Sequence, residues 1–211
     1  MELMYYGANC LTLTTKNITI LIDPITSEYG PDPKVAADVV LFSQLPKQST
    51  QSNPDFVIDR PGEYEIKGVT IDAVAARLHT EEAEDKQDGV MYAISHKDLR
   101  VLICGNIHPN LSEEQVERID GIDVLVVPVG GKGLTLDKEA ASDLVRQFDP
   151  SYVVPVHYED SRTVYPVPQD TVEAFLQEVG SSDAAREDSL KITARDASEE
   201  TTFIVLQPRT K

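Results

Sequence analysis

Three apolar runs between Arg100 and Tyr158 each stop at a polar or glycine-bearing turn, and a helix signal fills each gap between them. Val101-Leu-Ile-Cys104 stops at Gly105-Asn106-Ile107-His108-Pro109. Asp123-Val-Leu-Val-Val-Pro128 stops at Gly130-Gly131-Lys132-Gly133, and Tyr152-Val-Val-Pro-Val156 stops at His157-Tyr158. Short β-branched runs bounded by turn residues read as buried strands. In the first gap, Ser112-x-x-Gln115 is a capping box flanked by Leu111 and Val116, which marks a helix start. In the second, Leu136, Ala140, Leu144 and Phe148 recur at near-helical period. Strand, helix, strand, helix, strand predicts a layered α/β arrangement. In open α/β sheets the polar groups at the carboxyl ends of strands line the site, so Asn106, His108 and His157 are the first candidates.

The rest of the chain is mostly short strands. Leu3–Tyr6, Leu11–Thr14, Ile18–Ile22, Val39–Phe42 and Phe56–Ile58 precede a pair over Tyr64–Ala75 that turns at Lys67-Gly68. Val90–Ile94 and Leu99–Ile103 form a hairpin into the opening block. Ile18–Asp23, Asp38–Phe42 and Phe56–Ile58 echo Val101–Asn106, Asp123–Val127 and Tyr152–Val156, which suggests two related half-units. Val172, Phe175, Leu176 and Val179 predict a closing helix with Gly180 as its cap. Leu190–Thr193 and Thr202–Leu206 read as a closing strand pair. With no linker or low-complexity tract, residues 1–211 read as a single domain.

Charge excludes some partners. The 211 residues carry 36 acidic against 19 basic side chains, a formal net charge of -17. Such a surface repels nucleic acid and anionic membrane. No run approaches membrane-spanning length, and no signal peptide is visible before Leu3-Met-Tyr-Tyr6, so a cytoplasmic location is expected. Cys10 and Cys104 are the only cysteines and read as two reduced, buried thiols.

Several segments carry a resemblance. Tyr6-Gly-Ala-Asn-Cys10, Ile20-Leu-Ile-Asp-Pro24, Asp38-Val-Val-Leu-Phe42, Pro61-Gly-Glu-Tyr-Glu-Ile-Lys-Gly68, Asp123-Val-Leu-Val-Val-Pro-Val-Gly-Gly131, Thr135-Leu-Asp137 and Pro155-Val-His-Tyr158 occur in this order. Together they resemble the metallo-β-lactamase-fold proteins, most of all the branch of Zn-dependent hydrolases. The resemblance implies a four-layer αββα sandwich of two similar halves with its site at the sandwich edge. The family's His-x-His-x-Asp-His loop then falls on Ser43–Ser49, where Gln44, Pro46, Gln48 and Ser49 take the ligand places. Asn106 replaces a carboxylate and Pro109 a histidine, with His108 one residue off register. His157, and His79 at a place where the family often shows His-Asp, are the ligands kept. Asp23 and Glu63 match positions near the family's cleft.

A catalytic zinc usually takes three protein ligands and an open position. Two imidazoles fall short of that count. The expectation is therefore a non-catalytic or metal-independent relative, without a cofactor, whose cleft binds a small ligand or a protein partner. Asp23, Gln44, Glu63, Asn106 and His108 are its candidate cleft residues, and no catalytic residue is assigned. The alternative is a hydrolase holding one Zn²⁺ or Mn²⁺ at His79 and His157, acting on an ester, lactone or phosphodiester. The ordinary readings stand beside these: His157 as a histidine hydrogen-bonded to backbone, His79 as a surface histidine. A Cys104–His108 nucleophile and phosphate binding at Gly130, Gly131 and Gly133 are the weaker options, because buried cysteines and tight strand-to-helix turns explain both.

Overall fold

A computed structural model describes residues 1–24, 29–30, 33–44, 54–79, 87–193 and 200–209. In chain order the strands before the first helix are β1 (Glu2–Gly7), β2 (Cys10–Thr14), β3 (Thr19–Ile22), β4 (Val39–Leu41), β5 (Phe56–Ile58), β6 (Gly62–Ile66), β7 (Val69–Ala76), β8 (Gly89–His96) and β9 (Leu99–Ile103). Then come α1 (Glu113–Ile119), β10 (Val124–Pro128), α2 (Lys138–Phe148), β11 (Tyr152–Val156), α3 (Val172–Glu178), β12 (Ala185–Glu187), β13 (Leu190–Lys191) and β14 (Thr202–Leu206).

Two mixed sheets result. One runs β13-β1-β2-β3-β4-β5, the other β12-β14-β11-β10-β9-β8-β7-β6. The echo between the two halves has a structural basis. β3, β4 and β5 pair in parallel in that order, as do β9, β10 and β11. The closing strand pair expected from the sequence does not form: β13 pairs with β1 in the first sheet, while β14 pairs with β11 and β12 in the second. β13, two residues long, extends the first sheet beside β1, and the five-residue β14 extends the second beside β11, because an unpaired strand edge accepts any chain that reaches it.

Alternation places the core. Leu11, Leu13, Ile20, Ile22, Val39 and Leu41 face the second sheet within one large buried cluster. Their neighbours Cys10, Leu21, Val40 and Phe42 point the other way, under Tyr6, Tyr29 and Ala37. The period of two gives the first sheet an apolar surface on both faces. β10 is buried along its whole length, as a central parallel strand must be. All three helices among the described residues follow β9, so the helices of the second half are in place. Ser112 and Gln115 form the reciprocal capping box, and Asp137 caps α2 by accepting from the Ala140 N–H at 2.9 Å. Asp149 closes α2 in the left-handed conformation.

One side chain ties the sheets together near the site. The buried Tyr92 hydroxyl of β8 lies 2.7 Å from the Phe42 carbonyl and 2.9 Å from the Ile58 carbonyl, at the ends of β4 and β5. Its single proton serves both acceptors. Tyr92→Phe leaves them without that donor in a dry place, so stability should fall by about 1–3 kcal/mol. The denaturant midpoint checks this, with an unchanged far-UV circular dichroism spectrum.

Candidate functional site

Parallel strands release their chains at one edge, and both sheets do so on the same side. Asp23 follows β3, Ser43 follows β4, Gly105 and Asn106 follow β9, Gly130 follows β10 and His157 follows β11. Contacts across the sheets fix this edge. The Asn9 amide nitrogen, in the β1–β2 turn, donates to the Asn106 side-chain oxygen at 2.9 Å. The His157 N–H donates to the Ala8 carbonyl at 2.8 Å. Gly105 sits so close to Ser43 that any Cβ would overlap the serine side chain, which is why a glycine stands there. Ala8, Asp23 and His157 all hold positive φ, of 47°, 42° and 52°. Strained backbone of this kind clusters where side chains must be aimed.

Asp23 is the electrostatic centre of the first sheet's edge. Its two oxygens accept from the Ser43 N–H at 2.7 Å and the Ser43 hydroxyl at 2.6 Å. Desolvation nevertheless dominates, and raises its pKa to about 6. Gln44 is exposed and bridges to Gly89 at the start of β8. Pro46, Gln48 and Ser49, the other ligand places of the expected loop, lie outside the described residues.

The histidines sit in different surroundings. His79 is not a free surface histidine: Nδ1 lies 3.2 Å from the Asn106 carbonyl and Nε2 lies 3.1 Å from the Gly133 carbonyl. Only a doubly protonated ring donates to both; a singly protonated ring turns a lone pair against one of them. His157 is buried, and burial lowers its pKa to about 4, so the ring is neutral at pH 7. Its Nδ1 has no hydrogen-bond partner. The ring lies against Tyr165, with centroids 5.0 Å apart. His108 is half-buried beside Arg77 and His79; burial first, then those two charges, lower its pKa. Its Nδ1 accepts from the Asn110 N–H at 3.1 Å.

Asp23, Asn106, His79, His108 and His157 therefore gather at one edge. Glu63 does not. It lies on β6 with its side chain 79% exposed and faces Arg118 of α1 at 3.5 Å. Cys104 is buried and burial pushes its thiol up to about 12, so it holds its proton and is no nucleophile.

Sequence reasoning missed the neutral polar residues. Asn9 Oδ1, Thr135 Oγ1, Tyr165 Oη and Gln169 Oε1 are buried without partners, as His157 Nδ1 is. Such atoms are rare in folded proteins and gather where water or a ligand completes the bonding. The only signal for Gln169 is Gly130, where a Cβ would strike both the His157 carbonyl and the Gln169 side chain.

Both Asp23 oxygens and both His79 nitrogens already face protein groups. Among the described residues no three His, Cys, Asp or Glu side chains are grouped to hold a metal ion.

The raised pKa of Asp23 has a sign that can be checked. Its folded value lies above the unfolded value, so the group adds nothing below about pH 4 and costs stability as pH rises through about 6. A two-unit shift corresponds to roughly 3 kcal/mol at full effect, less where water reaches the half-buried carboxylate. Denaturant midpoints of wild type and Asp23→Asn from pH 4 to 7 should diverge by up to that amount, against the wild type as pH rises.

The comparisons with known proteins agree with this architecture. A model of the beta-lactamase superfamily domain matches residues 2–157. A Pyrococcus abyssi protein of the UPF0173 family is 27% identical over 184 residues, 75% of this chain and 83% of its own. A Thermotoga maritima protein, provisionally described as a Zn-dependent hydrolase of the metallo-β-lactamase superfamily, superposes with a TM-score of 0.79 at 26% identity, covering 98% of both chains. An isothiocyanate hydrolase from Delia radicum gut bacteria shares the fold alone, with a TM-score of 0.66 at 14% identity over 99% of this chain and 97% of that one. No described helix is long and apolar enough to cross a membrane. The two mixed sheets, their strand-end edge and the matched segment agree: this chain belongs to the metallo-β-lactamase superfamily.

Proposed function

We propose that this chain keeps the superfamily's cleft but not its metal centre, and that the cleft binds a small polar molecule through hydrogen bonds. One observation carries the reading: three of the polar side chains at this edge, Asp23, His79 and Asn106, are already engaged by protein atoms. Asp23 is clamped on Ser43, His79 lies between two backbone carbonyls, and Asn106 accepts from Asn9. Asn106 also stands where the family's carboxylate is expected, and an amide oxygen is a weak zinc ligand. The buried acceptors Asn9 Oδ1 and Gln169 Oε1 are what a ligand bearing N–H or O–H groups would meet. A protein partner is the other occupant of such a cleft, and its protruding polar group would meet the same atoms.

The second reading is a metal-dependent hydrolase, favoured by the likeness to the Thermotoga maritima protein along nearly the whole chain. It would hold one Zn²⁺ or Mn²⁺ at His79 and His157, with Asp23 as the third ligand, and act on an ester, lactone or phosphodiester. Binding there requires His79 to leave a carbonyl and Asp23 to release Ser43. Each exchange weakens affinity.

Zinc titration separates the two. Four-ligand zinc sites bind with roughly 10–16 kcal/mol, about 3 kcal/mol per ligand, so one recruited ligand raises affinity on the order of 100-fold. Wild type should bind zinc weakly. The combined variant Gln44→His, Pro46→His, Gln48→Asp, Ser49→His and Asn106→Asp should bind at least that much tighter. Tight stoichiometric binding by the wild type, lost in His157→Ala, would establish the second reading instead. Unchanged affinity in the combined variant would show that the loop has been aligned wrongly.

A further inference from the structure

We propose that the face shared by Arg77, Asn106 and His108 binds an oxyanion, the carboxylate or phosphate group of the small molecule that occupies the cleft. This rests on the reading of the strand-end edge as a ligand cleft, and it names the ligand's charge. Residues 77–79 and 106–108 form a short antiparallel ribbon where the chain leaves β7 and β9. The His108 N–H donates to the Arg77 carbonyl at 2.7 Å and the His79 N–H to the Asn106 carbonyl at 3.0 Å, with Leu78 paired to Ile107 between them. Side chains alternate across such a ribbon. Leu78 and Ile107 therefore share one face, and Arg77, His79, Asn106 and His108 share the other. Ile107 is fully buried in the core, which turns the polar face away from it.

The open groups on this face are donors. His108 Nδ1 accepts from the Asn110 N–H at 3.1 Å, so that nitrogen carries no proton and the ring N–H is at Nε2. Asn106 Oδ1 accepts from Asn9, which leaves the N–H₂ as the open end of its amide. His79 is turned to the Asn106 and Gly133 carbonyls and adds no open donor. Arg77 brings the charge. Arg118, Arg146 and Arg186 each face a carboxylate. The half-buried Arg77 faces none among the described residues, in a chain with 36 acidic against 19 basic side chains.

A guanidinium fork matches the paired oxygens of a carboxylate or phosphate, and two neutral donors beside it complete an oxyanion's bonding. The unpartnered Asn9 Oδ1, across a hydrogen bond from Asn106, is an acceptor for an N–H or O–H group on the same molecule. The ligand class is therefore a small acid or phosphate ester that also carries hydroxyl or amine groups.

The test is a ¹H–¹⁵N shift titration of the full-length, metal-free protein with inorganic phosphate and with acetate, at pH 7 and constant ionic strength. Saturable shifts are expected at the Asn106, His108 and Asn110 amides, and the anion that binds more tightly identifies the group. Arg77→Met keeps the apolar stem and should weaken binding about 10-fold or more, as loss of a charge-assisted pair does. His108→Phe, which removes the Nε2–H, should weaken it about threefold. Lys16→Ala, an exposed cation in the β2–β3 turn at the far end of the first sheet, should change nothing. Wild type without saturable shifts from either anion overturns the proposal, and so does wild-type affinity in Arg77→Met. Equal losses in Arg77→Met and Lys16→Ala would show only the general charge of the chain and overturn it too. Arg77→Gln takes the place of Arg77→Met if that variant does not fold. With no metal present, anion binding and the zinc titration report separately, so this proposal and the reading of the cleft can fail apart.

Discussion

Parallel strands must all release their chains at one edge, and the strand-end backbone there has no further ladder to satisfy it. In this protein two three-stranded parallel units do so on the same side. The edge is closed by local bonding: Ser43 on Asp23, His157 N–H on Ala8, Asn9 on Asn106, His79 on two carbonyls. Left-handed residues and close-packed glycines make those short bonds reachable. The cost is backbone strain and partly desolvated charge, which a well-packed core of two sheets can carry.

Much of this was legible in the sequence. Valine-rich runs located the central strands, the Ser112–Gln115 box located α1, and the half-unit echo matched two real parallel units. These signals are local: period, capping and turn chemistry act within a few residues. The pairing of β13 and β14 was misread because partner choice depends on which sheet edge lies free, which no local pattern encodes. Glu63 was misplaced for a related reason. A motif match gives a chain position, whereas β6 carries that position to the exposed edge of the second sheet beside Arg118.

The site was only half legible. Histidines and carboxylates attract notice because their chemistry is rare, so Asp23, Asn106, His79, His108 and His157 were found. Asn9, Thr135 and Gln169 were not, since neutral polar residues in loops are common and carry no pattern. Their importance comes from being buried without partners, which only a structure reveals. The same structure changes what the histidines mean. His157 is a neutral ring whose Nδ1 lacks a partner, and His79 is a bridge between two loops. Both ring nitrogens of His79 face backbone carbonyls.

The account turns on whether the cleft works without a metal. Elemental analysis of untagged protein, purified without chelator, tests this most directly, with His157→Ala as the control. The account predicts far less than one zinc or manganese per chain, at the same level in both proteins. Near-stoichiometric metal in the wild type, lost in His157→Ala, would contradict it and return the chain to the metal-dependent hydrolases.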